Sequence, residues 1–315
     1  MTAIPDFGQM LVPAEPELFF SRGDAMDPRM GDRVRRRIED YPEAQVVLVG
    51  CPQDEGVRRN RGRVGAAEAP AGIRRALYRY PVSEAHEGLR LLDLGDIAFG
   101  DSLEDTHARL NRVVRQCLVD GRKVVILGGG NDISFPDCSA LAAEVASVLA
   151  FNIDRHLDVR ADTPCNSGTP YRQLLEGGWL RPDSFHEVGI NSFANSLPYR
   201  RYVEELGVGV HYLDELRRDG VGATVAAIVA ASPAQGLFFG FDLDVVRAAE
   251  APGVSDASPM GLTAKEVCEI ADVAARDPRT RVIELTEVNP TYDRDNITCK
   301  LAANIVMRAL AIQGT

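Results

Sequence analysis

The sequence predicts an α/β protein in which a central, mostly parallel sheet is covered by helices on both faces. Its strand-like segments are continuous apolar runs rather than alternating ones, as expected for strands that are buried on both faces. These runs alternate along the chain with helical segments of ten or more residues, which is typical of parallel strands joined by crossover helices. Polar residues follow several of the runs directly, at the sheet edge where such folds bind ligands.

The composition is that of an ordinary globular protein. The chain has 315 residues, of which 45% are hydrophobic and 26% charged, so a large core is possible. The net charge of −11, with mostly dispersed basic residues, argues against nucleic-acid or anionic-membrane partners. There is no apolar stretch near the ~20 residues that span a bilayer and no signal pattern, so we expect a cytoplasmic protein. The six cysteines form no C-x-x-C pair and are expected to be reduced.

The elements follow in order along the chain. Residues 1–28, rich in Pro and Gly, are expected to form an N-terminal arm packed on the body or, alternatively, a partly disordered leader. Residues 29–315 are expected to form one domain, beginning with a basic helix at about 29–39. Further helices are predicted at about 70–80, 105–119 and 296–312, and strands at about 46–50, 89–94, 124–127, 147–153, 185–190, 208–212, 236–241 and 281–285.

A candidate metal-ligand set follows the strand at 147–153. Asp154, His156 and Asp158 are spaced two apart, which would place them on one face of an extended strand. A second pair, Asp242 and Asp244, follows the strand at 236–241 in the same way. Either motif alone is more often a solvated loop or a helix cap than a metal site. Their joint occurrence at strand ends favours a metal cluster.

Three more polar positions lie at the same predicted edge. Asn131 follows Gly128–Gly130, and Glu287 and Asn289 follow the strand at 281–285. Five carboxylates crowded into one pocket would repel one another unless a cation neutralised them. An oxygen-rich set with one imidazole favours Mn²⁺ or Mg²⁺ over zinc.

These residues also carry a family resemblance. The chain resembles the ureohydrolase (arginase/agmatinase) superfamily from about residue 46 to the end, and within it most resembles the formimidoylglutamase branch. The segments that carry the resemblance are Asp54–Asn60 with Gly62, Arg63, Gly65 and Ala66, Gly128–Asn131, Asn152–Asp158, Ser167–Gln173, Asp242–Val246, Ala251–Ser255 and Glu287–Pro290.

The resemblance implies a three-layer arginase-type fold and two Mn²⁺ ions per subunit. One ion would be bound by residue 131, Asp154, Asp158 and Asp242, and the other by Asp154, His156, Asp242 and Asp244. It also implies hydrolysis of N-formimino-L-glutamate to L-glutamate and formamide, in histidine degradation, by a metal-bridging hydroxide. Homo-oligomers, trimers or hexamers, are common in the family.

Individual roles follow from the same resemblance. Glu287 would pair with the amidine of the small-molecule substrate and, with Asp158, would be catalytic. The loop at 160–172 would face the amino-acid end of the substrate, with Asn166 and Ser167 as contacts. Arg160 is the first candidate to bind a substrate carboxylate and Arg172 the second, since the planar guanidinium matches a carboxylate in a bidentate manner. For either arginine a surface salt bridge is an equally good interpretation.

Several positions depart from the family pattern. Residue 131 is usually His and here is Asn, a weaker ligand, so three outcomes are open for the first ion: loose binding, binding in a different way, or absence. Residue 155 is usually Ala and here is Arg, which side-chain alternation should point away from the ligands. Asp256–Pro259 replaces the expected Ser-Ala-Pro segment. Two alternatives therefore stay open: a ureohydrolase acting on another guanidino or amidino substrate, and a metal-poor arginase-like protein with a binding role.

Overall fold

The computed structural model describes residues 4–311 and contains a nine-stranded sheet. Its strands are β1 Leu11–Val12, β2 Val46–Gly50, β3 Leu91–Ile97, β4 Lys123–Leu127, β5 Val148–Ile153, β6 Phe185–Ile190, β7 Gly209–Tyr212, β8 Gly236–Asp242 and β9 Thr280–Thr286. Their spatial order is β1-β3-β2-β4-β9-β8-β5-β6-β7. Every pairing is parallel except that of β1 with β3.

Eleven α-helices connect the strands of the described part. They are α1 Met30–Arg33, α2 Glu55–Arg59, α3 Ala69–Leu77, α4 Leu103–Val119, α5 Ser134–Glu144, α6 Pro170–Glu176, α7 Leu197–Leu206, α8 Leu213–Asp219, α9 Val221–Ala231, α10 Ala264–Arg276 and α11 Ile297–Ala309. None of the described helices is long and apolar enough to cross a membrane.

Two separate hydrophobic clusters show the three-layer arrangement. Successive residues of β4 alternate between them: Val124 and Ile126 belong to one cluster, and Val125 and Leu127 to the other. Because alternate side chains point to opposite faces, each cluster lies on one face of the sheet. Helices α3, α8, α9, α10 and α11 cover one face, and α4, α5, α6 and α7 cover the other. The predicted α/β class with helices on both faces is confirmed.

The N-terminal part differs from the sequence prediction in two ways. The basic helix expected at about 29–39 is wrong: α1 spans four residues, and a 3₁₀ turn follows at Ile38–Glu43. The backbone is extended at Val34, and Arg35 forms a parallel bridge with Leu92 of β3, so the chain leaves the helix after Arg33. The short strand β1, within the predicted arm, adds an antiparallel edge to the sheet. The predicted end of the last helix, residue 312, lies outside the described residues.

Strand order decides where the candidate site lies. β4, β9, β8 and β5 are adjacent and parallel, so their carboxyl ends meet at one edge. The polar residues after these strands therefore come from four neighbouring loops. This is the position at which open α/β sheets bind ligands.

Candidate active site

The segment after β5 is a bend rather than a continuation of the strand. β5 ends at Ile153, and the backbone turns through Asp154, Arg155 and His156. Asp154 is fully buried, and its Oδ1 accepts a hydrogen bond from the His156 backbone N–H at 2.7 Å. Asp158 has a left-handed backbone with φ of 45°. The three side chains do meet, with ligand atoms within 4.8 Å of one another, but by a bend and not by strand alternation.

The second pair of aspartates follows β8. Asp242 is the last residue of that strand, and its Oδ1 accepts a hydrogen bond from the Asp244 backbone N–H at 2.9 Å. Ligand atoms of Asp154, Asp242 and Asp244 lie within 4.8 Å of one another. Oδ1 of Asp244 is buried and has no hydrogen-bond partner within residues 4–311. A buried carboxylate oxygen without a partner is a free position for a cation.

His156 joins the two groups of carboxylates. Its Nδ1 lies 3.4 Å from Oδ1 of Asp154 and 3.3 Å from Oδ2 of Asp244. Burial alone would lower the pKa of His156, but the charge of Asp244 and the hydrogen bonds to the neighbouring carboxylates raise it well above its ordinary value. Nδ1 thus lies where a positive charge is favoured.

The electrostatics of the aspartates lead to the same conclusion. Burial raises the pKa of Asp158 to about 8, with a further contribution from Asp154. Burial also raises the pKa of Asp244 to about 6 and that of Asp242 well above its ordinary value. Carboxyl groups that would hold a proton on their own become ionised beside a divalent cation. The donor set therefore fits one or more hard cations.

Asn131 lies beside this cluster in a network of hydrogen bonds. The side chain is buried, and its Nδ2 donates to Oδ2 of Asp158 at 2.7 Å. Its Oδ1 accepts from the hydroxyls of Ser134 at 2.9 Å and Thr286 at 3.0 Å. Because hydroxyls can also accept, the amide can reverse and present Oδ1 to the cluster while Nδ2 donates to both hydroxyls. The pocket therefore accommodates Asn131 as an oxygen ligand.

Glu287 forms the wall of the pocket next to Asn131. The residue is buried, has a φ of 61°, and its Oε1 accepts from the Asn131 backbone N–H at 2.7 Å. Burial raises the pKa of Glu287 to about 8. A left-handed conformation at a non-glycine residue is uncommon, and its occurrence here is consistent with a functional position.

The cluster opens into a cavity of about 640 Å³. Its lining includes His156 and Asp158 and the buried carboxylates of Asp242, Asp244 and Glu287. The lining also includes Asn60, Arg61, Arg63, Arg160, Ser167, Asn195, Tyr199 and Asp256, among others, and of these Arg61, Arg160 and Asp256 are exposed. The cavity is thus lined both by buried carboxylates and by exposed guanidinium groups.

The residues predicted to contact substrate separate into two groups. Arg160 and Ser167 line the cavity, whereas Asn166 and Arg172 do not. Nδ2 of Asn166 donates to Asp162 at 3.1 Å, and its Oδ1 accepts from the Gly168 backbone, so its side chain holds the loop together. Arg172 bonds Glu176 and the Val159 carbonyl and lies over the Tyr202 ring. For these two residues the structure favours a structural role over substrate contact.

Asn289, also noted after β9, is likewise outside the cavity lining. Its Nδ2 donates to the backbone carbonyls of Arg63 and Val64 at 3.0 and 3.1 Å. Asn289 therefore holds the Arg63 loop beside the site.

No pattern in the sequence indicates a role for Arg61. This residue has a φ of 63°, and within the described part of the chain its guanidinium forms no hydrogen bond or ion pair, as is also true of Arg160. Asn60, its neighbour, donates from Nδ2 to Oγ of Ser167 at 3.1 Å and joins the two loops. The only sequence signal for Arg61 was the density of arginines between positions 58 and 63.

Arg155 does not line the cavity, but its guanidinium contacts a residue that does. Nη1 of that guanidinium lies 2.9 Å from Oδ2 of Asp256. In the sequence, Asp256 departs from the family pattern, and no role is predicted for it.

The sequence and the fold match those of known proteins. The family model described as "Arginase family" matches residues 44–311. Formimidoylglutamase of Ralstonia nicotianae is 33% identical over 317 residues, covering 94% of this chain and 95% of that protein. Formimidoylglutamase of Citrobacter koseri is 32% identical over 305 residues, covering 93% and 96%.

The fold also matches those of solved structures. The crystal structure of Trypanosoma cruzi formiminoglutamase with Mn²⁺ superimposes with a TM-score of 0.85 at 30% identity, covering 90% of this chain and 98% of that chain. Formimidoylglutamase from Bacillus subtilis gives a TM-score of 0.85 at 29% identity, covering 92% and 93%. The predicted arginase-type fold is confirmed.

Proposed function

The chain belongs to the arginase family, and we propose that it hydrolyses N-formimino-L-glutamate to L-glutamate and formamide with manganese as cofactor. One observation carries the choice of substrate: the cavity is lined both by buried carboxylates that fit a cation and by exposed guanidinium groups that have no partner in the described residues. N-Formimino-L-glutamate has the matching polarity, with an amidine at one end and two carboxylates at the other.

The metal would be held by the donors described above. Asn131, Asp154, Asp158 and Asp242 would bind one Mn²⁺, and Asp154, His156, Asp242 and Asp244 the other. The unpartnered Oδ1 of Asp244 and the raised pKa values of the aspartates support this assignment. When bound, such ions lower the pKa of a coordinated water and so supply hydroxide at neutral pH.

Glu287 would orient the reacting group. Its buried carboxylate faces the cavity next to the cluster, where it can accept hydrogen bonds from the N–H groups of a protonated formimino group. An ion pair in this water-poor site is strong and directional. Contact with Glu287 would hold the formimino carbon beside the carboxylate cluster.

Asp158 would transfer the proton of the attacking water. Its carboxylate belongs to the cluster and also lines the cavity. It is placed to take a proton from the attacking water and to return it to the glutamate nitrogen as the C–N bond breaks. The oxygen of water then remains on the formimino carbon, which leaves as formamide.

The opposite end of the substrate would bind the guanidinium groups. Arg160 and Arg61 both line the cavity without intramolecular partners in the described residues, so each can meet a carboxylate. The hydroxyl of Ser167, held by Asn60, adds a hydrogen-bond donor at the same wall. Arginine suits this task because its planar fork matches a carboxylate.

A substrate panel tests the proposal. Manganese-loaded protein should release formamide from N-formimino-L-glutamate and little urea from arginine, agmatine or guanidino acids. Urea release in preference to formamide would support the ureohydrolase alternative. Hydrolysis of no amidine, together with no bound manganese, would support the metal-poor binding protein that Asn131 motivates.

We also propose that the chain forms a homo-oligomer, a trimer or a hexamer. The family resemblance alone supports this proposal. Light scattering coupled to size-exclusion chromatography tests it, and a single-chain mass would count against it.

A further inference from the structure

Arg155 forms an ion pair with Asp256, which lines the cavity. Nη1 of Arg155 lies 2.9 Å from Oδ2 of Asp256, and the two residues come from different loops. The Arg155 side chain is only 12% exposed, whereas that of Asp256 is 63% exposed. The guanidinium is therefore packed in place, and it anchors a carboxylate that would otherwise be free to move on a solvent-exposed loop.

The anchored carboxylate also contacts His156. The same oxygen, Oδ2 of Asp256, lies 3.4 Å from Nε2 of that imidazole. The other ring nitrogen, Nδ1, faces Asp154 and Asp244 inside the cluster. The ring thus lies between the carboxylates of the cluster on one side and the single carboxylate of Asp256 on the other.

This arrangement has a chemical consequence for a metal-binding histidine. An imidazole that offers the lone pair of Nδ1 to a cation must carry its proton on Nε2. A carboxylate beside Nε2 accepts that proton in a hydrogen bond, fixes the tautomer and the ring orientation, and makes the ligand nitrogen more basic. Asp256 is the acidic group placed to do so.

We propose that Asp256 is a positioning residue that holds His156 in its metal-binding tautomer, and that Arg155 holds Asp256 in place. Arg155 and Asp256, which both depart from the family pattern, then act together on His156. The inference rests on the proposed function only in that His156 ligates manganese; it is independent of the substrate.

Manganese affinity is the direct readout. Equilibrium dialysis of the full chain with Mn²⁺ should show that Asp256→Ala weakens binding of the ion that His156 ligates by about 10- to 100-fold. This is the usual effect of removing a hydrogen-bond partner of a metal-binding histidine. Asp256→Asn should fall between Asp256→Ala and the unchanged protein, because its amide oxygen accepts a hydrogen bond but has no charge. Arg155→Ala should weaken binding less than Asp256→Ala.

Double variants show whether the effect passes through the contacts described. Arg155→Ala/Asp256→Ala should bind manganese as Asp256→Ala does, since the arginine acts through the aspartate. His156→Asn keeps an oxygen near the position of Nδ1 but lacks the Nε2–H group. In that background Asp256→Ala should have no further effect.

Asp183→Ala is the matched control, because Asp183 forms an exposed ion pair with Arg181 and does not line the cavity. It should leave manganese affinity unchanged. An Asp256→Ala protein with unchanged affinity would overturn the proposal and reduce the contact to a surface ion pair. A loss that persists in the His156→Asn background would also overturn it, because Asp256 would then act on the ion directly.

The outcome is separable from that of the proposed function. Loss of affinity in Asp256→Ala, without formamide release by the unchanged protein, would leave this inference standing and remove the substrate assignment. If the unchanged protein releases formamide but Asp256→Ala has the same manganese affinity, the substrate assignment stands and this inference is removed.

Discussion

Nδ2 of Asn131 donates a hydrogen bond of 2.7 Å to Oδ2 of Asp158. This contact joins the position at which the chain departs from the family's usual histidine to a carboxylate assigned to both metal binding and catalysis. The amide must turn over to offer its oxygen to a cation, and the hydroxyls of Ser134 and Thr286 allow this.

Asn131→His should therefore tighten binding of the first manganese ion, because an imidazole nitrogen is a stronger donor than a neutral amide oxygen. We expect a gain of about tenfold in affinity, or roughly 1.4 kcal/mol. Metal content measured at limiting Mn²⁺ checks this, with Asn131→Ala as the comparison that should lose affinity. Equal metal content in all three proteins would count against Asn131 as a ligand.

Glu287→Gln should reduce kcat/KM by about 10²- to 10³-fold, the effect of removing one charge-stabilising partner from an active site. The reason is that the neutral amide cannot pair with the cationic formimino group. Bound manganese should remain unchanged, since Glu287 is not among the proposed ligands. A variant that keeps full activity, or that loses its metal, would contradict the assigned role.

Arg160→Leu should raise KM by about 10- to 100-fold, because a charged hydrogen bond contributes about 1.5–3 kcal/mol. The value of kcat and the manganese content should change little. Arg172→Leu is the matched comparison, since its guanidinium is engaged by Glu176, Val159 and Tyr202 outside the cavity. If Arg172→Leu has the larger effect on KM, Arg172 and not Arg160 binds the substrate carboxylate.

Asp137 offers a test of stability against pH. The residue is fully buried, both its carboxylate oxygens lack partners in the described chain, and burial and Asp132 raise its pKa well above the ordinary 3.8. The folded state thus keeps a proton that the unfolded state releases. Stability should fall as pH rises above about 4 toward the folded pKa, by up to about 1.4 kcal/mol per pH unit.

Asp137→Asn removes this titration, so its free energy of unfolding should depend less steeply on pH above about 4. Urea unfolding at several pH values measures the slope. The control is Asp183→Asn, because Asp183 is exposed and its pKa is lowered by hydrogen bonds from Arg181. Parallel profiles for Asp137→Asn and the unchanged protein would show that Asp137 is ionised in the fold.

The location of the candidate site was predictable because parallel strands bring their carboxyl ends to one edge. Apolar runs marked β4, β5, β8 and β9, and the polar residues after them had to lie at that edge. Only the strand order of the fold shows that these four strands are neighbours. Asp154, His156 and Asp158 come together, as their spacing predicts. A bend in the backbone, and not an extended strand, is what brings their side chains together.

What could not be predicted depends on contacts between distant loops. The sequence shows no sign that Arg172 would be engaged by Tyr202, that Arg61 would adopt a left-handed backbone, or that Arg155 would reach Asp256. Edge strand β1 is two residues long and has no periodicity to read. Such features follow from packing of the completed fold and not from local pattern.

The rate of formamide release from N-formimino-L-glutamate, measured as a function of manganese bound per chain, shows whether the chain is a manganese-dependent hydrolase of this substrate. We predict no activity in metal-free protein and a rate that rises with occupancy toward two ions per chain, with glutamate and formamide formed in equal amounts. Formamide release at full rate without manganese, or no release with two ions bound, would rule out this function.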